Sequence, residues 1–225
     1  MTQGAGTAAS RLRILLVTIA ALLVGGALAL AYRELRELQA ARTMQPGTID
    51  IGFAQFMSLH HQQAIGMAQL MLDGRPTPLA GLARSIAYAQ LVELGEMRGW
   101  LRLWDEPLLP ASRSMVWMLT ADAPPDAALL QYLLDCERSP TGMPGLATDE
   151  ELNRLRALDG RVRDERFLQL MLAHHEGGLP MAQFAARHAR LAVVRTLAAR
   201  IVVEQSEEVV RIRRTLAAMA APTPG

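Results

Sequence analysis

The chain has one cysteine, Cys136, in 225 residues. A single thiol closes no intramolecular disulfide and builds no Cys-rich zinc site, so cysteine usage says nothing about the redox compartment. Cys136 itself reads as a small buried hydrophobe. Aromatic residues make up only 4% of the chain, while Ala, Leu, Met, Arg and Glu dominate. That composition argues against strands and for an all-α protein. Neither sign of charge prevails: the formal net charge is +1. No basic block points to nucleic acid, and no acidic tail points to a solvating arm. The sequence also lacks a Gly-rich phosphate loop, a Ser/His/Asp or Cys/His arrangement, and an acid pair with an obvious substrate cleft. These gaps weigh against an enzyme without deciding the question; redox turnover at a bound metal stays open, but nothing in the sequence requires it. Without a C-x-x-C-H motif, any haem held between histidines would have to be non-covalent.

One long apolar run is present. Ile14 to Tyr32 carries no charge, and at about 1.5 Å per residue it spans about 28 Å, close to the hydrocarbon thickness of a bilayer. Arg11 and Arg13 precede it, whereas Arg33, Glu34, Arg36 and Glu37 follow it and cancel. The asymmetry places the N-terminus in the cytoplasm and everything after Tyr32 outside. Ala27-Leu28-Ala29 and Ala29-Leu30-Ala31 resemble signal cleavage sites, but the run exceeds the usual ~7–15 residues of a signal peptide's apolar region. A retained single-pass anchor over 14–32 is the favoured reading, after a cytoplasmic tail over 1–13 and before a stalk over 33–47.

The main signal is an internal repeat. Residues 50–69 (DIGFAQFMSLHHQQAIGMAQ) and 164–183 (DERFLQLMLAHHEGGLPMAQ) are identical at nine of twenty positions, Asp50/Asp164, Phe53/Phe167, His60/His174 and His61/His175 among them. Chance gives about one or two matches, and self-similarity of this kind takes precedence over other assignments. Downstream, Gln90-x-x-Glu93 recurs as Gln205-x-x-Glu208. The duplicated unit is a helix bearing His-His followed by a helix bearing Q-x-x-E. The fifth histidine, His188, has no counterpart and reads as a surface residue.

Phe53, Met57, His60, Ala64, Met67 and Met71 follow helical spacing, as do Phe167, Met171, His174, Gly178, Met181 and Ala185; each set is the seam of a bundle helix. The first histidine of each pair lies mid-stripe and the second about 100° round. Ile86, Gln90, Glu93 and Met97 form a third stripe, and Ile201, Gln205, Glu208 and Ile212 a fourth. The expected domain is a duplicated four-helix bundle over 48–220, with a proline-rich crossover over 105–147 holding one small helix near 126–136. Thr48 is expected to cap the first helix, and Thr148-Asp149-Glu150-Glu151 resembles a capping box before the third. Residues 221–225 read as a frayed tail. Gly177, Gly178 and Pro180 follow the second His pair, where they either kink the helix or permit close packing.

Two imidazole pairs and two inward carboxylates in one core point to a metal ion. The candidate ligands are His60, His61, His174, His175, Met57, Met171, Met67, Met181, Glu93 and Glu208. Imidazole with soft thioether favours copper in either oxidation state, or silver, over zinc or iron. A ferritin-type di-iron centre needs Glu-x-x-His, but Met57 and Met171 stand at the Glu positions. The competing reading is a membrane-held helical interaction module in which the histidines form a hydrogen-bonded structural layer. Self-association into a homo-oligomer is compatible with either.

M-x-x-HH-x5-MA occurring twice, each time followed by Q-x-x-E, resembles the domain-of-unknown-function three-hundred-five family over about residues 48–219. The resemblance implies a ferritin-like four-helix bundle. It places the motif on Met57, His60, His61, Met67 and Ala68, on Met171, His174, His175, Met181 and Ala182, and on Gln90, Glu93, Gln205 and Glu208. Some members are exported copper-binding proteins, which implies an exported copper-binding protein here. Members often carry M-x-G-M before the third helix; here the stretch is Met143-Pro144-Gly145-Leu146, and the second Met is lost.

Overall fold

A computed structural model describes residues 4–221, and the side chains of 16–37 and 44–221. The Pro-Thr-Pro-Gly end and part of the expected cytoplasmic tail lie outside the described residues. Among the described residues there are seven α-helices: α1 (Gly4–Thr43), α2 (Thr48–Met71), α3 (Ala80–Leu103), α4 (Ala127–Arg138), α5 (Asp149–Ala157), α6 (Gly160–His188) and α7 (Ala192–Ala220). No strand occurs among the described residues. The fold is the all-α bundle expected from composition and periodicity.

Two units divide the chain, residues 1–45 and 46–225. The first is α1. Its stretch Leu16–Glu37 is long and apolar enough to cross a membrane by length and composition, the one such helix among the described residues. The second is the bundle. In it α2 packs on α3 and α6 packs on α7, each pair being one copy of the repeat, and α2 packs on α6 to join the copies.

The repeated aspartates make that joint reciprocal. Asp50 accepts from the backbone N–H of Gly47 at 2.7 Å and also from that of Leu191, in the α6–α7 turn, at 2.9 Å. Its counterpart Asp164 accepts from Thr77 Oγ1, in the α2–α3 loop, at 2.6 Å. Each copy's aspartate therefore holds the other copy's interhelix loop. Asp50 also takes the role expected of Thr48: Gly47 is the N-cap, Thr48 is the first helical residue, and the carboxylate one turn in satisfies the free N–H. The capping box at α5 forms as expected, with Thr148 and Glu151 bonded in both directions.

The crossover is firmly seated. Trp117, in a 3-10 turn over Val116–Leu119, lies on Gly52 of α2, where a Cβ would stand 2.4 Å from its ring. Gln63 of α2 exchanges two hydrogen bonds with the backbone of Ala147, at 2.7 and 2.8 Å. Gly145, at φ +81°, approaches the carbonyl of Ala173 so closely that no side chain fits there. Cys136 is buried in the core, as expected of a small hydrophobe.

Candidate metal centre

The four duplicated histidines come together at the α2–α6 junction. His60, His61, His174 and His175 are all fully buried. The rings of His60 and His174 lie 3.7 Å apart between centroids, His61 is 6.5 Å from His60, and His175 is 5.9 Å from His174. The imidazoles thus form a continuous row, His61–His60–His174–His175, across both copies. The mid-stripe histidines meet at the centre because their helices face each other, and the second histidines lie toward the partner helices. His188 is half-buried against Phe184 at 4.7 Å, away from this row.

Each outer histidine has a carboxylate. His61 Nε2 is 2.7 Å from Glu93 Oε2 on α3, and His175 Nε2 is 2.5 Å from Glu208 Oε2 on α7. Inside the row, His174 Nε2 donates to the backbone carbonyl of His60 at 2.9 Å. A carbonyl only accepts, so the neutral His174 carries its proton on Nε2 and turns an electron pair out at Nδ1, while His61 and His175 point Nε2 at their carboxylates and leave Nδ1 outside those bonds. The Nδ1 atoms of His61, His174 and His175, and both ring nitrogens of His60, are buried with no hydrogen-bond partner among the described residues. Burial holds the pKa of His60 and of His174 well below the usual histidine value, and like-charge repulsion from neighbouring histidines adds to the effect. Both are neutral imidazoles at neutral pH.

The methionines bracket the row. Met57 and Met181 belong to one hydrophobic cluster, and Met67 and Met171 to the other; all four are fully buried. Met57 and Met181 sit one turn or two from the first histidine on opposite helices, as do Met171 and Met67, so the repeat supplies a thioether-bearing layer on each side. Glu93 is buried and Glu208 half-buried. Gln90 and Gln205 are also buried, with neither amide bonded among the described residues. Among the described residues no group of three or more His, Cys, Asp or Glu side chains is gathered so as to hold an ion. The four imidazoles and their two carboxylates are thus brought together without forming a closed cage of those residue types.

Of the two readings of the glycines after the second His pair, the structure bears out close packing. Gly178 makes room for His60: a Cβ there would stand 2.6 Å from its Cε1. Gly177 makes room for the Pro144 carbonyl, and its own carbonyl accepts from Tyr132 Oη at 3.1 Å. The Gly-Gly pair therefore serves close packing within an unbroken α6, and its position directly after His-His was the signal. Outside the row, and not assigned from the sequence, Arg200 places its Nε 3.8 Å from Glu93 Oε1; nothing in the repeat marks it.

Fold and centre together define a duplicated four-helix bundle with a buried row of paired histidines. The chain belongs to the family described as Domain of unknown function (DUF305), whose sequence profile matches residues 50–216. Three solved structures show the relationship. One, described as a secreted DUF305 protein of Streptomyces coelicolor, is 34% identical with a TM-score of 0.65, covering 79% of this chain and 97% of that one. A DUF305 fragment from Deinococcus radiodurans is 24% identical with a TM-score of 0.59, covering 77% and 99%. CopM in its Cu(II)-bound form is 25% identical with a TM-score of 0.55, covering 75% and 96%. No curated protein sequence matches the chain.

Proposed function

We propose that this is an exported, membrane-anchored protein that binds copper in the histidine row between α2 and α6, buffering or sequestering it. The observation that carries the reading is the set of five buried imidazole nitrogens without hydrogen-bond partners, on His60, His61, His174 and His175. A buried polar atom left unpaired costs about 1–3 kcal/mol, and a soft cation is one partner that satisfies several at once. Neutral imidazole binds copper in both oxidation states, and thioethers from Met57, Met67, Met171 and Met181 favour Cu(I). Zinc and iron fit this donor set less well. Glu93 and Glu208 serve in this reading as orienting partners, fixing the ring tautomers that leave Nδ1 free, more than as direct ligands. CopM, a neighbour with a Cu(II)-bound structure, is consistent with copper. Anchoring rests on the apolar stretch of α1, with the bundle outside the cytoplasm.

Equilibrium dialysis against Cu(I), Cu(II) and Zn(II) tests the reading. The wild type is expected to retain copper, and the double variant His60→Ala/His174→Ala to lose most of it. Equal uptake by the two would remove the proposal.

One observation favours a second reading. Two of the four imidazoles are already closed against carboxylates, and no three His, Cys, Asp or Glu side chains enclose an ion among the described residues. A structural His–Glu layer in a membrane-held interaction module accounts for that. Such a protein would melt at the same temperature with metal, with chelator and with neither.

A further inference from the structure

The two His–Glu pairs differ in what covers them. Glu93 uses Oε2 to hold His61, while Oε1 is buried without a hydrogen bond and lies 3.8 Å from Arg200 Nε. Arg200 extends from α7 across to α3, donates from a terminal nitrogen to Glu96 Oε1 at 2.6 Å, and has Nε 3.9 Å from Glu204 Oε1. Its side chain is 43% exposed and that of Glu93 only 5%. The guanidinium therefore stands between solvent and the buried pair. The backbones of α3 and α7 are not packed on each other as the other bundle neighbours are, so side chains such as this one fill the seam.

The other copy has no such cover. In the register that aligns Gln90 with Gln205 and Glu93 with Glu208, Arg200 corresponds to Ser85, Glu204 to Ala89 and Glu96 to Arg211. No arginine pairs with Glu208 among the described residues, and its side chain is 14% exposed, more than that of Glu93. Among the described residues, the guanidinium cover therefore occurs on one His–Glu pair only.

We propose that the α3–α7 seam is a route by which a soft cation reaches the His61–Glu93 pair, and that Arg200 is the latch on it. This rests on the copper reading above. An arriving cation meets the half-exposed carboxylates of Glu96 and Glu204 first and displaces the guanidinium from them. Exposed ion pairs contribute little and re-form readily, so the latch opens at small cost. Glu93 Oε1, already buried and facing the seam, is the next oxygen inward. Loading at the His175–Glu208 side needs no such displacement, so the copies fill at different rates.

Stopped-flow uptake of Cu(II) by the full chain in detergent, followed by tryptophan fluorescence, tests the latch. The wild type is expected to show a fast and a slow phase. Arg200→Gln is expected to accelerate the slow phase about tenfold, within the range by which local charge changes alter cation association, while the copper bound at equilibrium is unchanged. Arg84→Gln removes the same charge from an exposed position on α3 and is expected to leave both phases alone. A slow phase unaltered by Arg200→Gln, or accelerated equally by Arg84→Gln, overturns the latch while leaving copper binding in place. A wild type that holds no copper at equilibrium overturns both.

Discussion

Gly178 of α6 lies against the imidazole of His60 on α2, so that a Cβ at 178 would stand 2.6 Å from Cε1 and 3.1 Å from Nε2. His60 owes its place at the centre of the row to a side chain that is absent from the facing helix. The equivalent position in the other copy is Ala64, so the pseudo-symmetry breaks at the middle of the site.

Gly178→Ala should therefore displace His60 and destabilise the bundle by about 1–2 kcal/mol, overpacking outweighing the modest gain in helix propensity. Gly66→Ala, where a Cβ meets nothing within 4 Å, should instead stabilise by about 0.5–1 kcal/mol. Urea unfolding of the two variants, read by circular dichroism, compares them directly. Similar midpoints would contradict the packing described for His60.

Glu93→Gln and Glu208→Gln should each weaken copper binding about 10–100-fold, as loss of the partner that orients a ligating histidine commonly does. Competition with a chromophoric chelator measures the change. Unaltered affinity in both variants would mean the carboxylates play no part in orienting the rings.

Stability should fall as the pH drops below about 6.5, the ordinary histidine value. Burial lowers the folded-state pKa of His60 and His174, so below that pH the unfolded chain takes up protons that the folded chain refuses. Each group then removes about 1.4 kcal/mol per pH unit until its folded-state pKa is reached, and above the unfolded pKa its contribution is constant. Metal-free protein unfolded in urea between pH 7 and pH 5 should show this slope. His60→Gln, which does not titrate, should reduce it.

Asp50→Ala should cost about 2–4 kcal/mol, because it strands the part-buried N–H of Gly47 and the buried N–H of Leu191 at once and releases the α6–α7 turn. Asp50→Asn, which keeps one acceptor, should recover part of the loss. Thermal melts of the three proteins give the order.

Full-length protein should sediment with membranes and resist alkaline carbonate, whereas a variant beginning at Pro46 should be released into the soluble fraction with its helical spectrum intact, since residues 46–225 form a compact unit of their own. Soluble full-length chain after cell fractionation would count against a retained anchor.

Helix type, the pairing of helices within each copy and the inward direction of the histidines were all legible in the sequence. Period and repeat record which face of a helix is apolar, and a helix has only one way to hide such a face. The crossover reads as proline-rich with one small helix, and nothing in it announces that Trp117 on Gly52 and Gln63 on Ala147 bind it to the histidine helix. Contacts between residues far apart in the chain leave no periodic trace. Thr48 looked like a cap by residue type alone; Asp50 took the role because its carboxylate also reaches Leu191, a partner brought near only by folding.

The amino-acid order by itself determined that four amphipathic helices form in two like pairs, each with a His-His and a Glu turned inward, because side-chain periodicity is a local property of the chain. Only the tertiary structure decided that His60 and His174 meet at 3.7 Å, that five imidazole nitrogens, every Nδ1 among them, are buried without a hydrogen-bond partner among the described residues, and that Arg200 covers one pair and not the other. Those outcomes depend on the distance and rotation between helices, which packing sets and no single segment encodes.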